Sequence, residues 1–509
     1  MRKELAALSK ETLIYGTSTV IGRFLNFLLV PFYVNVLHST SEYGISSVLY
    51  TWIAFLNVIY PLGLEGAYFR YAARGESDLR DHRQENFLFS GSFNLIVLVT
   101  AVLTLILFVL APTLAHPLFF DPKLDIALML PMLIRIVRYS SFILLFDALT
   151  ALPFADLRLE HQAKRFASIK LTTIVVTLVL NFVLILGFHF GVEGIFIANL
   201  IASALQFLLL LPTIIAKWQP VLNRESLTKM LPFGLTNVPA YIGAMMVQVI
   251  DRPIVQMYLG LGAVGVYQAN YRMGFIMMVF VSLFEYAWRP FFMRQHKTDD
   301  AKARLLFARI FTYFLLIAGG AFLLLSFFLP YILSTPIFGR QLLRNDYLSG
   351  MNIIPVILFA YIFQGMYTNF IAGIYIKERN KVLPLITGIG AVVNIIVNIL
   401  LIPVLGIMGA ALATLAAYAV MAYAIYLPSK KAYPVPYEWK RVGLLSLDIG
   451  VIFALERLIV LTDIVSGSLP ILFLRLGLSI VAISGLFLFG FFSEQEMAFL
   501  KSGLGKIRR

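Results

Sequence analysis

The chain has 509 residues, of which 60% are hydrophobic and 13% charged, with a formal net charge of +14 and no cysteine. Its mean hydropathy is +0.85, so it lacks the polar skin a soluble fold of this length needs, which excludes a cytosolic enzyme, a secreted domain and a disordered chain. The missing cysteines exclude disulfides, zinc–thiolate sites, iron–sulfur clusters and thiol catalysis.

The apolar residues come in long helical runs, not in the roughly ten-residue alternating segments of a β-barrel. A window of about 19 residues predicts fourteen spans, near 12–37, 43–64, 86–111, 125–153, 166–188, 193–216, 232–258, 264–288, 306–333, 348–376, 382–402, 407–428, 440–461 and 469–492. The N-terminal stretch has no signal-peptide cleavage pattern, so the first span is expected to be retained. Loop cations test this reading. With the N-terminus in the cytoplasm, the segments on that side hold 31 Lys and Arg, against three opposite: Lys123, Arg340 and Arg344. This positive-inside asymmetry predicts that both termini are cytoplasmic. It also explains the net charge without nucleic acid as a partner.

The two halves resemble each other. Lys164 and Asn181 are matched by Lys381 and Asn398, and Gly191-Val-Glu-Gly194 by Gly406-Ile-Met-Gly409. Pro31 precedes Tyr43-Gly44 much as Pro253 precedes Val264-Gly265, and Glu65-Gly-Ala-Tyr68 matches Glu285-Tyr-Ala-Trp288. All pairs share an offset of 215–222 residues. Six spans per half is an even number, so both halves enter the membrane in the same direction. The predicted fold is therefore all-α and polytopic, with 14 transmembrane helices. Two six-helix lobes, at 1–217 and 218–429, form a parallel pseudo-two-fold repeat around a central cavity. Residues 430–509 hold two extra C-terminal helices and a cytoplasmic tail.

Seven arginines fall inside predicted spans: Arg23, Arg135, Arg138, Arg252, Arg272, Arg457 and Arg475. Five of them facing lipid would cost roughly 12–18 kcal/mol, comparable to the net stability of a whole fold. They are expected to face a wet cavity or find partners. Helical spacing favours a cavity. Thr12, Tyr15, Thr19, Arg23 and Asn26 share one face of span 1; Asn237, Tyr241, Gln248 and Arg252 share one face of span 7. Gln268 and Arg272 are four apart in span 8, and Arg135 and Arg138 three apart in span 4. The alternative is ion pairing, with Asp251 and Asp147 as available acids. For Arg457 and Arg475, in the two extra spans, pairing or snorkelling is the expectation. Asp147, Asp251 and Glu285 leave the other five arginines with two charges in excess, a balance suited to a phosphate gripped by guanidinium forks.

The chain resembles the polysaccharide flippase branch (O-antigen type) of the multidrug/oligosaccharidyl-lipid/polysaccharide exporter superfamily. The resemblance rests on Thr12-Leu-Ile-Tyr-Gly16, Gly22-Arg23-Phe24, Pro31-Phe-Tyr33, Glu42-Tyr-Gly44 and Glu65-Gly-Ala-Tyr-Phe-Arg70. It covers essentially the whole chain, but its motifs are diffuse and specify no sugar. It implies a flippase moving undecaprenyl-pyrophosphate-linked oligosaccharide from the cytoplasmic to the periplasmic leaflet of the bacterial inner membrane by alternating access. Membrane lipids, and the polysaccharide polymerase and ligase machinery, are its implied partners. It also implies coupling to a proton or sodium gradient, with Glu65, Glu285 and Asp251 as the acids to test, or to the membrane potential. Pairing of Glu65 with Arg70 and of Glu285 with Arg289 is the alternative role for two of these acids. Arg23→Ala and Arg252→Ala are expected to reduce transport while leaving insertion intact.

Other signals carry less. Gly260-Leu-Gly262-Ala-Val-Gly265 has the G-x-G-x-x-G form but lacks the strand that a dinucleotide loop needs. The six histidines fall in loops or at span ends without metal-ligand spacing. No catalytic residue, metal or cofactor is expected. The competing readings are a peptidoglycan-precursor flippase, an ion-coupled multidrug extruder, and a membrane glycosyltransferase or polymerase. The longest predicted outer loops, 112–124 and 334–347, leave the last little room for a catalytic site.

Overall fold

The computed structural model describes residues 16, 21, 22, 24, 25, 27–74, 82–121, 123, 124, 126–220, 224–298, 300–337, 340–462, 464, 465, 467–494, 496 and 497. They form helices α1 (Phe27–Val36), α2 (Thr40–Ile59), α3 (Leu64–Arg74), α4 (His82–Leu118), α5 (Leu130–Leu159) and α6 (Ala163–Phe182). There follow α7 (Gly191–Lys217), α8 (Arg224–Val249), α9 (Asp251–Leu259), α10 (Leu261–Thr298), α11 (Asp300–Ser334) and α12 (Asn345–Leu348). The last five are α13 (Ile353–Ile376), α14 (Val382–Leu405), α15 (Ile407–Ala432), α16 (Trp439–Leu461) and α17 (Ser468–Leu488). A two-stranded ribbon, β1 (Pro336–Ile337) with β2 (Arg340–Gln341), closes the loop after α11.

Among the described residues, 11 helical segments are long and apolar enough to cross a membrane, with α2 and α3 counted as one. The chain is a multi-pass membrane protein. The predicted spans at 125–153 and 440–461 correspond to α5 and α16, 30 and 23 residues long. Both carry buried charged groups, Asp156 in α5 and Glu456 in α16. Of the first predicted span, most residues before Phe27 lie outside the described set.

The chain divides into two compact units that interleave along the sequence. The first comprises Met1–Met273, Leu343–Ile353 and Leu383–Ala417. Ser39 opens its α2 by accepting the Glu42 N–H at 3.3 Å, an N-cap. The helix breaks at residues 60–63, where Leu62 and Gly63 take φ of 54° and 66°. At Gly63 a glycine is required twice over: the backbone is left-handed, and a Cβ would lie 2.4 Å from the carbonyl oxygen of Gly234.

Several pairs from the sequence duplication take matching roles here. Asn181 and Asn398 are both fully buried, and each donates to the carbonyl one turn earlier, at 2.7 and 2.8 Å. Gly191 and Gly406, with φ of 54° and 61°, both start a helix from a left-handed residue. Glu65 pairs with Arg158, and Glu285 is exposed. The alternative expectation of a Glu65–Arg70 pair is thus corrected. Arg70 stacks on the Phe233 ring instead, 4.4 Å from its centroid.

At one end of this unit, buried Asp156 accepts hydrogen bonds from Tyr68 Oη at 2.6 Å and Lys217 Nζ at 2.7 Å. The same lysine reaches Glu160 at 2.6 Å. One network thereby joins α3, α5 and α7.

The second unit comprises Gly274–Leu342, Ile354–Val382 and Tyr418–Arg509. Trp288, Phe292, Phe307 and Tyr433 form an aromatic core in it. Between α16 and α17, fully buried Glu456 binds Arg475 at 2.8 Å and Arg457 at 3.5 Å. The pairing expected for these two arginines therefore exists, through an acid the sequence reading did not name.

Past α17, Glu496 accepts from Tyr313 and forms an ion pair with Arg441 at 3.0 Å. Burial would raise its carboxyl, but hydrogen bonds from Tyr313 and Ser493 and the Arg441 charge overcome this and hold it at about 2. A depressed carboxyl contributes stability above its ordinary titration range near 4.5 and loses it as the pH falls through about 2. Proteolysis of the segment after α17 is accordingly expected to be unchanged from pH 8 to 5 and to rise below about pH 4. Glu496→Gln should show the higher cleavage rate already at neutral pH. Equal cleavage of both proteins at pH 7 would remove this tie.

Candidate functional site

A cavity of about 750 Å³ lies inside the first unit, within the range of small-molecule sites. Helices α1, α2, α5, α6, α7 and α10 each contribute side chains to its wall, and α3 adds Glu65. Polar groups occur on these helices at three- and four-residue spacing, so each turns one stripe inward. Tyr43, Ser46, Ser47, Tyr50 and Asn57 come from α2; Lys170, Thr173 and Thr177 from α6; and Asn199, Ser203 and Gln206 from α7.

Hydrogen bonds hold these groups in place. Asp147 accepts from Ser203 Oγ at 2.8 Å and from Asn57 Nδ2 at 3.4 Å. Gln206 donates to Thr150 at 2.9 Å, which turns its carbonyl oxygen towards Lys170 Nζ at 3.2 Å. The Lys170 ammonium also stands 4.1 Å from the centre of the Phe154 ring, a cation–π contact. Asn199 donates to Tyr50 Oη at 3.2 Å, and Tyr33 donates to buried Asn181 at 2.9 Å.

Three cationic side chains, Arg158, Lys170 and Arg272, and two anionic ones, Glu65 and Asp147, share the wall. Glu65 is bound to Arg158. The wall therefore offers ring faces, amides and hydroxyls for a polyhydroxylated guest, with one positive charge in excess. Among the described residues there is no cluster of three or more His, Asp or Glu that would hold a metal ion.

Of the residues predicted for the site, Gln268, Arg272 and Glu65 line this cavity. Arg252 does not. It is buried, bound to Asp251 at 2.7 Å and to Gln268 Oε1 at 3.0 Å, and stacked 4.6 Å from the Tyr271 ring centre. Tyr267 also donates to Asp251, so this acid belongs to a closed buried network. Gln248 is exposed and accepts from Arg252 through its carbonyl oxygen, and Tyr241 is exposed.

Arg135 forms a two-pronged pair with Glu193, both bonds at 2.7 Å, which Tyr139 joins at 3.1 Å. Arg138 lies over the Phe108 ring, outside the cavity. Glu285 is exposed on α10. Arg23 and Asn26 lie outside the described residues.

Sequence reasoning misses Lys170 and Arg158 because it counts both among the loop cations. In fact Lys170 stands two turns inside α6. The polar residues of α2, α6 and α7 follow the same three- and four-residue spacing as those of spans 1, 4, 7 and 8, and that spacing is the sequence signal for their inward faces.

Residues 37–344 match the family described as polysaccharide biosynthesis protein. An uncharacterized membrane protein of Methanocaldococcus jannaschii is 23% identical over 440 residues, 81% of this chain and 83% of that protein. The solved structure of the lipid II flippase MurJ, in an inward closed conformation, superposes with a TM-score of 0.71 at 17% identity, covering 94% of this chain and 98% of that one. An inward-facing multidrug resistance MATE family transporter of the MOP superfamily gives 0.65 at 14% identity, covering 81% and 94%. The fold is that of these transporters, as the all-α polytopic reading anticipates.

Proposed function

We propose that this chain, which belongs to the polysaccharide biosynthesis protein family, is a flippase for polyprenyl-diphosphate-linked oligosaccharide. A sugar and diphosphate head cannot cross hydrocarbon bare, whereas the polyprenyl tail can stay in lipid beside the protein. The observation that carries the reading is the cavity itself. Tyrosine, amide and hydroxyl groups cover a wall with one positive charge in excess, in a chain of this family. In this reading Arg272 and Lys170 bind the anionic part of the head group, and the α2 and α7 stripes bind its hydroxyls. Arg23 remains a candidate for the same path. Asp147, which faces the cavity, joins Glu65, Glu285 and Asp251 as an acid to test for ion coupling.

The proposed location is the bacterial inner membrane with both termini cytoplasmic, and the proposed direction of transport is outward. An interior-negative potential favours that direction, by about 4–5 kcal/mol for a doubly charged head crossing 100 mV. Deleting the gene is expected to abolish surface polysaccharide, to leave cells viable and to trap lipid-linked repeat units inside. The superposition on the lipid II flippase favours a second reading, a peptidoglycan-precursor flippase, for which deletion is lethal. Unchanged glycan with altered drug sensitivity would instead favour an extruder.

Lys170→Met removes a charge-assisted hydrogen bond of about 1.5 kcal/mol or more, and is expected to slow transport of the lipid-linked glycan about tenfold with unchanged membrane abundance. A transport rate equal to that of the unsubstituted protein would take Lys170 out of the substrate path.

A further inference from the structure

Arg138 differs from four other membrane-embedded arginines. Among the described residues, Arg135 is paired with Glu193, Arg252 with Asp251, and Arg457 and Arg475 with Glu456. The Arg138 guanidinium has neither a carboxylate nor a hydrogen-bond acceptor among the described residues, and its Nε is buried without a partner. It lies over the Phe108 ring, 4.7 Å from the centroid, and Phe108 meets Phe142 edge to face at 5.8 Å. Thr104 fastens α4 to α5 beside it, donating to the Ser141 carbonyl at 3.2 Å.

The exposed residues of α4 and α5 on the Phe108 side of this arginine are hydrocarbon. Val102, Leu105 and Val109 of α4 and Phe142 of α5 are exposed, with no hydroxyl, amide or acid among them. Arg138 sits eight residues into α5, about 12 Å from the helix end. Helical side chains lean towards their own N-terminus, so this one is directed towards the Leu130 end, where α4 also finishes. An unpaired guanidinium in such a place calls for an anion that comes with hydrocarbon attached. Val102, Leu105, Val109 and Phe142 offer no group to bind sugar, and Arg135, one turn away, is already held by Glu193, which argues against the lipid-linked glycan and for a phospholipid.

We infer that the α4–α5 face at Arg138 is a binding site for the phosphate of an anionic phospholipid, whose acyl chains lie over Val102, Leu105 and Val109. Arg138 clasps the phosphate, and the Phe108 ring fixes the plane of the guanidinium. A zwitterionic lipid fits less well, because its ammonium would add a second cation to the same spot. This assignment stands independently of the flippase reading.

The test places a tryptophan at exposed Leu105 (Leu105→Trp) and reconstitutes the full chain into phosphatidylethanolamine vesicles containing phosphatidylglycerol. Either lipid is brominated in turn, and the added tryptophan's quenching is taken as the difference from the parent protein. Brominated phosphatidylglycerol is expected to quench at least threefold more than brominated phosphatidylethanolamine at equal mole fraction. Arg138→Leu should abolish the difference, and Phe108→Leu should reduce it. Equal quenching by the two lipids with Arg138 in place would overturn the assignment without requiring any variant to fold. So would a preference that persists in Arg138→Leu. Displacement of the brominated phosphatidylglycerol by an equimolar isoprenyl diphosphate would give the face to the carrier lipid and overturn it as well.

Discussion

Asp251→Ala is expected to destabilise the protein by about 3–5 kcal/mol, because it removes a buried carboxylate bound to a buried guanidinium. The carboxylate it removes is almost fully buried, and binds Arg252 at 2.7 Å and Tyr267 through its hydroxyl. Arg252 retains Gln268 and the Tyr271 ring, neither of which carries a negative charge. Purified Asp251→Ala should melt far below the unsubstituted protein in the same detergent. The double variant Asp251→Leu with Arg252→Met, which removes both charges and keeps the volume, should recover most of the loss. If the single variant melts normally, the network does not hold this part of the fold. The same geometry changes what Arg252→Ala tests. With the arginine removed, Asp251 is stranded, so lost transport is expected together with lost folded protein. Arg272 and Lys170, on the cavity wall, are the better probes of binding.

The fold was legible because its physics is one-dimensional. An apolar run of about twenty residues must become a helix in lipid, since nothing else satisfies its backbone. Short repeated signals such as Gly191 and Gly406 marked the duplication because each serves a backbone conformation that favours glycine. The site was half legible. Gln268 and Arg272, four apart, were read as one inward face, and they line the cavity. Arg135 was placed with them by the same reasoning, yet Glu193, from another helix, takes it. Sequence spacing fixes which residues share a face of one helix. It does not say which neighbouring helix presents an acid to that face, and a lone Glu at the start of α7 gives no sign that its partner lies 58 residues earlier. Lys170 failed for the opposite reason: a cation near a predicted boundary reads as a loop residue, and boundaries are the weakest part of such a reading.

Gly44→Ala and Gly265→Ala are each expected to disrupt the seam between α2 and α10 and to stop transport. The two glycines occupy equivalent places in the duplicated sequence and pack against each other. A Cβ on Gly44 would lie 2.0 Å from the carbonyl oxygen of Leu261, and one on Gly265 would lie 1.9 Å from that of Thr40. Neither backbone can yield easily. Leu261 is anchored by Asp121, which accepts its N–H at 2.6 Å, and Thr40 follows the Ser39 cap. An ordinary contact needs the chains to part by about 1.5 Å, which breaks close packing along both helix ends. Overpacking commonly costs about 1–3 kcal/mol, and backbone on both sides of the contact places these two at the top of that range or above it. Because either methyl alone separates the same seam, the double variant should melt close to the singles instead of showing the sum of their losses. Gly477→Ala in α17, where nothing lies within 4 Å of the added carbon, supplies the contrast. It should match or exceed the original stability, by up to about 1 kcal/mol from helix propensity. A Gly44→Ala protein that melts and transports normally would show that the helix ends already move apart freely. Additive losses in the double variant would mean that the two glycines serve separate contacts and not one shared seam.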